Sequence, residues 1–152
     1  MKARKHTTLA ASERGSSLVE VALLMPVLLA LLLAATDLGR AFYLMNEVAG
    51  AAHAGAMYGS QNPTDTADMQ TVATSNAPDV SGIGATASYG CECSDGTQSS
   101  ASCGTTPSCA SLTEVYYVKV KASATYTPMI PWPKFGSSFT LSDTVEMRSY
   151  AP

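Results

Sequence analysis

The sequence predicts an α+β chain in which a long N-terminal helix with a transmembrane segment is followed by a short helix and a small antiparallel β-sheet with a cysteine-bearing loop. Three observations carry that reading. Residues 18–35, LVEVALLMPVLLALLLAA, form an apolar run with one charge, Glu20, and one proline, Pro26. Two stretches near the C-terminus alternate apolar and polar side chains with the period of a half-buried strand. Ahead of them, Cys91, Cys93, Cys103 and Cys109 crowd into a Ser/Thr/Gly-rich stretch.

As a helix the apolar run covers about 27 Å at about 1.5 Å per residue, close to the roughly 30 Å hydrocarbon core of a bilayer. Residues 36–58 contain no proline and place Leu38, Ala41, Phe42, Met45, Val48, Ala49 and Ala52 at three- and four-residue intervals. The helix is therefore expected to continue as an amphipathic second half, giving one helix over residues 16–59. Pro26 lacks an N–H and crowds the preceding turn, so it should kink or loosen the helix there. Ala51-x-x-x-Gly55 and Gly55-x-x-x-Gly59 would let another backbone approach closely. Whether that neighbour is the chain's own sheet or another helix is open at this stage.

Charge is unevenly placed. Lys2, Arg4, Lys5 and Arg14 precede the run, whereas from Asp37 onward ten acids face five bases. The positive-inside rule then puts the N-terminus in the cytoplasm and the later residues outside. A net acidic distal part is a poor match for phosphates, so nucleic-acid binding is not expected. Asp37 and Arg40 stand three apart, where an exposed ion pair would contribute only about 0–1 kcal/mol.

Residues 60–152 are expected to form one exported α+β domain. Asn62-Pro63-Thr64-Asp65 reads as a turn, followed by a short helix over residues 64–75. Tyr116, Val118, Val120, Ala122, Ala124 and Tyr126 fall on one face of a strand, and Phe139, Leu141, Val145 and Met147 on one face of a second. Residues 85–89 offer a shorter third. Pro128, Pro131 and Pro133 separate the two long strands, where proline would break a central ladder. The even cysteine count in an exported loop, residues 90–111, reads as two disulfides. Cys91–Cys103 with Cys93–Cys109, or Cys91–Cys109 with Cys93–Cys103, are the two workable connectivities. A four-cysteine zinc site lacks the paired C-x2-C spacing, so no metal is assigned.

The N-terminal segment has two readings. A basic region, an apolar run and a small-residue site at residues 32–35 describe an ordinary secretory signal, lost on cleavage. Glu20 inside the run, Pro26 in its middle and the smooth continuation into an amphipathic helix fit that poorly. Arg14-Gly15-Ser16-Ser17-Leu18-Val19-Glu20 instead resembles a type IV prepilin processing site. The resemblance implies a leader of residues 1–15, cleavage by a prepilin peptidase after Gly15, and Ser16 as the new N-terminus. It also implies a role for Glu20: an acid in an apolar helix costs about 2–3 kcal/mol unless paired, and a neighbouring subunit's terminal amine would pair with it. The plainer reading of Glu20 is a snorkelling interfacial acid.

The match extends further. Residues 14–59, with Arg-Gly, the glutamate, a proline midway, Asp-x-Gly-Arg after the run and an alanine/glycine-rich end, resemble the TadE-like family. Residues 118–149 are similar to that family's strand, proline-rich turn, strand and terminal Met-Arg; between about 60 and 112 the resemblance thins out. It implies a minor pilin or pseudopilin of the tight adherence, Flp-type IV pilus system, since the bulk Flp pilins are much shorter. The implied partners are other pilin or pseudopilin subunits, the prepilin peptidase, an inner-membrane assembly platform and the lipid bilayer. The implied location is the bacterial inner membrane as a single-pass protein, with the extracellular pilus a second possibility.

No nucleophile–base–orienter set, phosphate-binding glycine loop or paired carboxylates stand out, so no catalytic residue and no cofactor are assigned and an enzyme is not expected. His6 and His53 lie in unrelated segments and read as structural or solvated. A second function class stays open: a membrane-anchored or secreted binding module that uses the disulfide-stapled domain for adhesion.

Overall fold

A computed structural model describes residues 14–97, 99–101, 103, 109, 112–129 and 137–150. Residues 1–13, including His6, and the turn prolines Pro131 and Pro133 lie outside the described residues. The elements are α1 (Arg14–Gln61), α2 (Thr66–Asn76), β1 (Gly84–Cys93), β2 (Glu114–Tyr126) and β3 (Phe139–Ser149). Two compact units divide the chain, Met1–Thr36 and Asp37–Pro152.

In the first unit α1 is apolar on every side and uncovered. An 18-residue window has a mean hydropathy of 2.6 and none of it is buried, so the helix is long and apolar enough to cross a membrane. Pro26 lies within α1; the Ala22 carbonyl, four residues earlier, is the one that loses its amide partner. The observed helix is 48 residues long, two residues longer at each end than expected, within the usual scatter of helix ends. Gly15 therefore falls inside the first turn rather than ahead of it.

In the second unit the helix buries one face. Asp37, Val48, Ala51, Ala52, Gly55, Ala56 and Gly59 are buried along it. This face is rotated from the apolar stripe seen in the sequence: Val48 and Ala52 belong to both, but Leu38 and Phe42 stay 62% and 67% exposed. Close approach explains the rotation, because the sheet and α2 settle where side chains are smallest. A Cβ on Gly55 would stand 2.8 Å from the Met69 carbonyl oxygen and 3.0 Å from Val120.

α2 starts two residues later than expected because Asp65 caps it, its Oδ1 accepting from the Asp68 amide at 3.1 Å. Met69 and Ala73 are its buried residues. The sheet runs β1-β2-β3, antiparallel throughout. Val118, Val120, Ala122, Ala124 and Tyr126 of the central strand point inward as their alternation predicts. β1 is longer than the expected residues 85–89, continuing until Cys91 and Cys93 pair with Tyr116 and Glu114.

Two apolar clusters result. Val48, Ala51 and Ala52 pack with Ala77, Val80, Ala122 and Ala124. Ala56 packs with Met69, Ala73, Val118 and Val120. On β3, Leu141, Val145 and Met147 face the same way, and so does the half-buried Asp143, paired in register with buried Ala122. The outer face is polar, with Lys119 Nζ 2.9 Å from Glu146 Oε2, an exposed pair worth about 0–1 kcal/mol.

The glycine contacts give a paired expectation. Gly55→Ala forces a methyl against backbone and should destabilise by about 1–3 kcal/mol. Gly50, whose added Cβ would meet only Asn76 Oδ1 at 3.8 Å, gains helix propensity of up to about 1 kcal/mol on Gly50→Ala. Thermal unfolding followed by circular dichroism should move the two variants in opposite directions.

Candidate functional site

Gly15 and Ser16 stand in the first turn of α1, and exposed Glu20 follows Ser16 by four residues, about one helical turn. Glu20 is the only charge in the 18–35 run. Among the described residues of the first unit nothing covers it or the leucines around it, among them Leu23 at 75% and Leu28 at 62% exposed.

The second unit begins with a residue that sequence reading misjudged. Asp37 is 3% exposed and does not stand on an open helical face. The Tyr126 hydroxyl lies 2.5 Å from Asp37 Oδ1 and 2.7 Å from its backbone carbonyl oxygen, and the Met129 amide donates to Oδ1 at 3.1 Å. Arg40 lies over the Tyr126 ring, 6.0 Å from its centroid. The signal available in the sequence was Tyr126 itself: a tyrosine ending the apolar face of a strand needs a partner for its hydroxyl once buried. Burial, and then the Asp37 carboxylate, push the Tyr126 phenol above its usual range.

β1 delivers the other candidate residues. Cys91 and Cys93, two apart and both buried, share one face of the strand. They form Cys91–Cys103 and Cys93–Cys109, with Cα–Cα distances of 5.6 and 5.4 Å, so the structure selects the first of the two connectivities. The stapled loop folds back along β1: the Cys91 amide donates to Ser100 O at 2.8 Å and the Ser100 amide to Cys91 O at 2.7 Å. Gly90 permits this, because a Cβ there would meet Ser100 O at 2.7 Å. A Glu114 carboxylate oxygen lies within 4.8 Å of the Cys91 and Cys103 sulfurs, but with both in a disulfide no thiolate is present to bind a metal. His53 is exposed on α1.

With this geometry in view, comparison with known families is decisive for the helix. Residues 15–57 match the TadE-like protein family. The matched segment spans Gly15, Glu20, Pro26, Asp37 and Gly55 and stops two residues short of Gly59. It supports a pilus-associated protein of the tight adherence system, and its apolar helix fits membrane anchoring. No curated protein and no solved structure matches the chain.

Two expectations follow from the site. Tyr126→Phe removes the hydroxyl that serves buried Asp37 and should cost about 1–3 kcal/mol. Because the folded-state phenol titrates above its unfolded value, its contribution is complete below pH about 10 and is lost as pH rises through the folded value. An alkaline unfolding titration should therefore fall less steeply for Tyr126→Phe than for the parent chain. For the cysteines, non-reducing peptide mapping should recover 91–103 and 93–109 linkages and no crossed pair. Opening either loop, 12 or 16 residues in separation, should lower stability by about 3 kcal/mol.

Proposed function

We propose that this chain is a minor pilin or pseudopilin that serves as a structural component in assembling a Flp-type tight adherence pilus, cleaved after Gly15 and packed against other subunits through its apolar helix. One observation carries the reading: the TadE-like match over residues 15–57 falls on a helix whose first half is apolar and uncovered and whose second half is fastened to a small disulfide-stapled sheet. Such a helix must be covered by lipid or by other helices, and a pilus subunit meets the two in turn.

Cleavage after Gly15 removes Lys2, Arg4, Lys5 and Arg14 from the mature chain and leaves an amine on Ser16. Glu20 then becomes the only formal charge between that amine and Asp37. In lipid an unpaired carboxylate costs about 2–3 kcal/mol; beside a neighbouring subunit's amine the same group favours assembly. The partners in this reading are other pilin or pseudopilin subunits, the prepilin peptidase and the inner-membrane platform. The role is mechanical rather than catalytic, with the N-terminus cytoplasmic and the sheet exported.

N-terminal sequencing of the mature protein tests the processing step: Ser16 at the terminus supports the proposal, and Thr36 overturns it in favour of a secreted binding module. Glu20→Ala should leave carbonate-resistant membrane association unchanged while reducing the protein recovered in sheared pili or in crosslinked subunit complexes. Undiminished recovery would remove the pairing role.

A further inference from the structure

We infer that the β2–β3 end of the sheet is a lipid-interface seat, in which Met129 and Phe139, together with Leu38 and Arg40 of α1, rest in the headgroup layer where the apolar run leaves the bilayer. The inference rests on the reading of residues 18–35 as a membrane span. A hydrocarbon core of roughly 30 Å within a bilayer of about 40–45 Å leaves about 5–8 Å of headgroup layer on each side. At about 1.5 Å per residue, that layer takes up four or five residues of helix after the run. Asp37, two residues beyond Ala35, falls within it.

Asp37 is also the residue that holds the sheet. Its carboxylate accepts from the Met129 amide and from Tyr126, the last residue of β2. Tyr126 pairs in register with Phe139, the first residue of β3, their ring centroids 5.2 Å apart. Both ends of the β2–β3 connection are thereby held at the level of Asp37, whatever course the chain takes between them.

The side chains at that level are apolar and uncovered within the second unit. Leu38 and Met129 are each 62% exposed, and Phe139 is 37% exposed. Arg40 is also exposed, over the Tyr126 ring, the side chain expected to meet lipid phosphates. The connecting sequence, residues 127–138, contains no Asp or Glu. Lipid is the occupant these features fit, because Leu38 continues the apolar run on the same helix and a cation stands where it gives way to the headgroups. Interfacial burial of such side chains adds to anchoring in proportion to the apolar area withdrawn from water.

The chain's single tryptophan makes this testable. In the full-length protein, Trp132→Phe combined with Met129→Trp moves the only indole to position 129. Reconstituted in phosphatidylcholine/phosphatidylglycerol vesicles, that indole should be quenched more by lipids brominated near the carbonyl end of the acyl chain than by lipids brominated near the methyl end. A companion variant, Trp132→Phe with Arg148→Trp, places the indole on an exposed residue at the far end of β3 and should stay unquenched. Adding Asp37→Ala to the position-129 variant should weaken its quenching about two-fold as the seat loosens. Protein that floats with the vesicles yet shows no quenching at 129 overturns the seat while leaving the membrane span standing. A concentration-dependent emission shift without lipid quenching assigns the surface to a second copy and overturns it as well. Failure to float removes the span and the seat together.

Discussion

The contact between Asp37 and Tyr126 sets the terms for the second unit. A carboxylate is buried at the point where α1 changes from apolar all round to apolar on one side, and the hydroxyl at the end of the central strand satisfies it. A buried acid without such a partner would cost more than the contact supplies when made, so the pair enforces register rather than adding much net stability. With residue 37 tied to residue 126, β2 has one alignment along the helix. Val120 then falls opposite Gly55, and Ala122 and Ala124 meet Val48, Ala51 and Ala52.

Small side chains supply the rest of the fit. Ala51, Ala52, Gly55, Ala56 and Gly59 give the helix a shallow face, and Met69 of α2 fills the remaining space beside Gly59. Apart from Val48, the face buries only small side chains, so most of the core volume comes from the valines of β2 and from Met69. That division of labour leaves Leu38 and Phe42 free on another side of the same helix. One helix can therefore serve the sheet and a second apolar environment without a break in its backbone.

Much of this was legible in the sequence because it rested on periodicity. An eighteen-residue run with a single charge marked a helix long and apolar enough to cross a membrane, and period-two alternation at 116–126 and 139–147 specified two strands and their inward faces. Small-residue spacing marked the packing surface, although it left the partner open. What escaped was set by contacts between distant residues. The burial of Asp37 depends on a strand 89 residues later, and the rotation of the buried face depends on where the sheet settles. The disulfide pairing could be narrowed to two choices but not to one, since it depends on how the loop folds back over Gly90. Of the candidate site, Gly15, Glu20 and Pro26 were found from motif spacing, while Tyr126 and Met129 became visible only through Asp37.

The two edges of the sheet differ in how readily each could accept a further strand. The Cys91 end of β1 is occupied by Ser100 from the stapled loop, while β3 carries Asp143 on its inward side among Leu141, Val145 and Met147. A charge facing inward on a border strand makes it unfavourable to continue the sheet into a neighbour, a device by which natural β-proteins resist amyloid-like growth. In the assembly proposed above, crowded subunits would then line up by their helices without fusing through their strands.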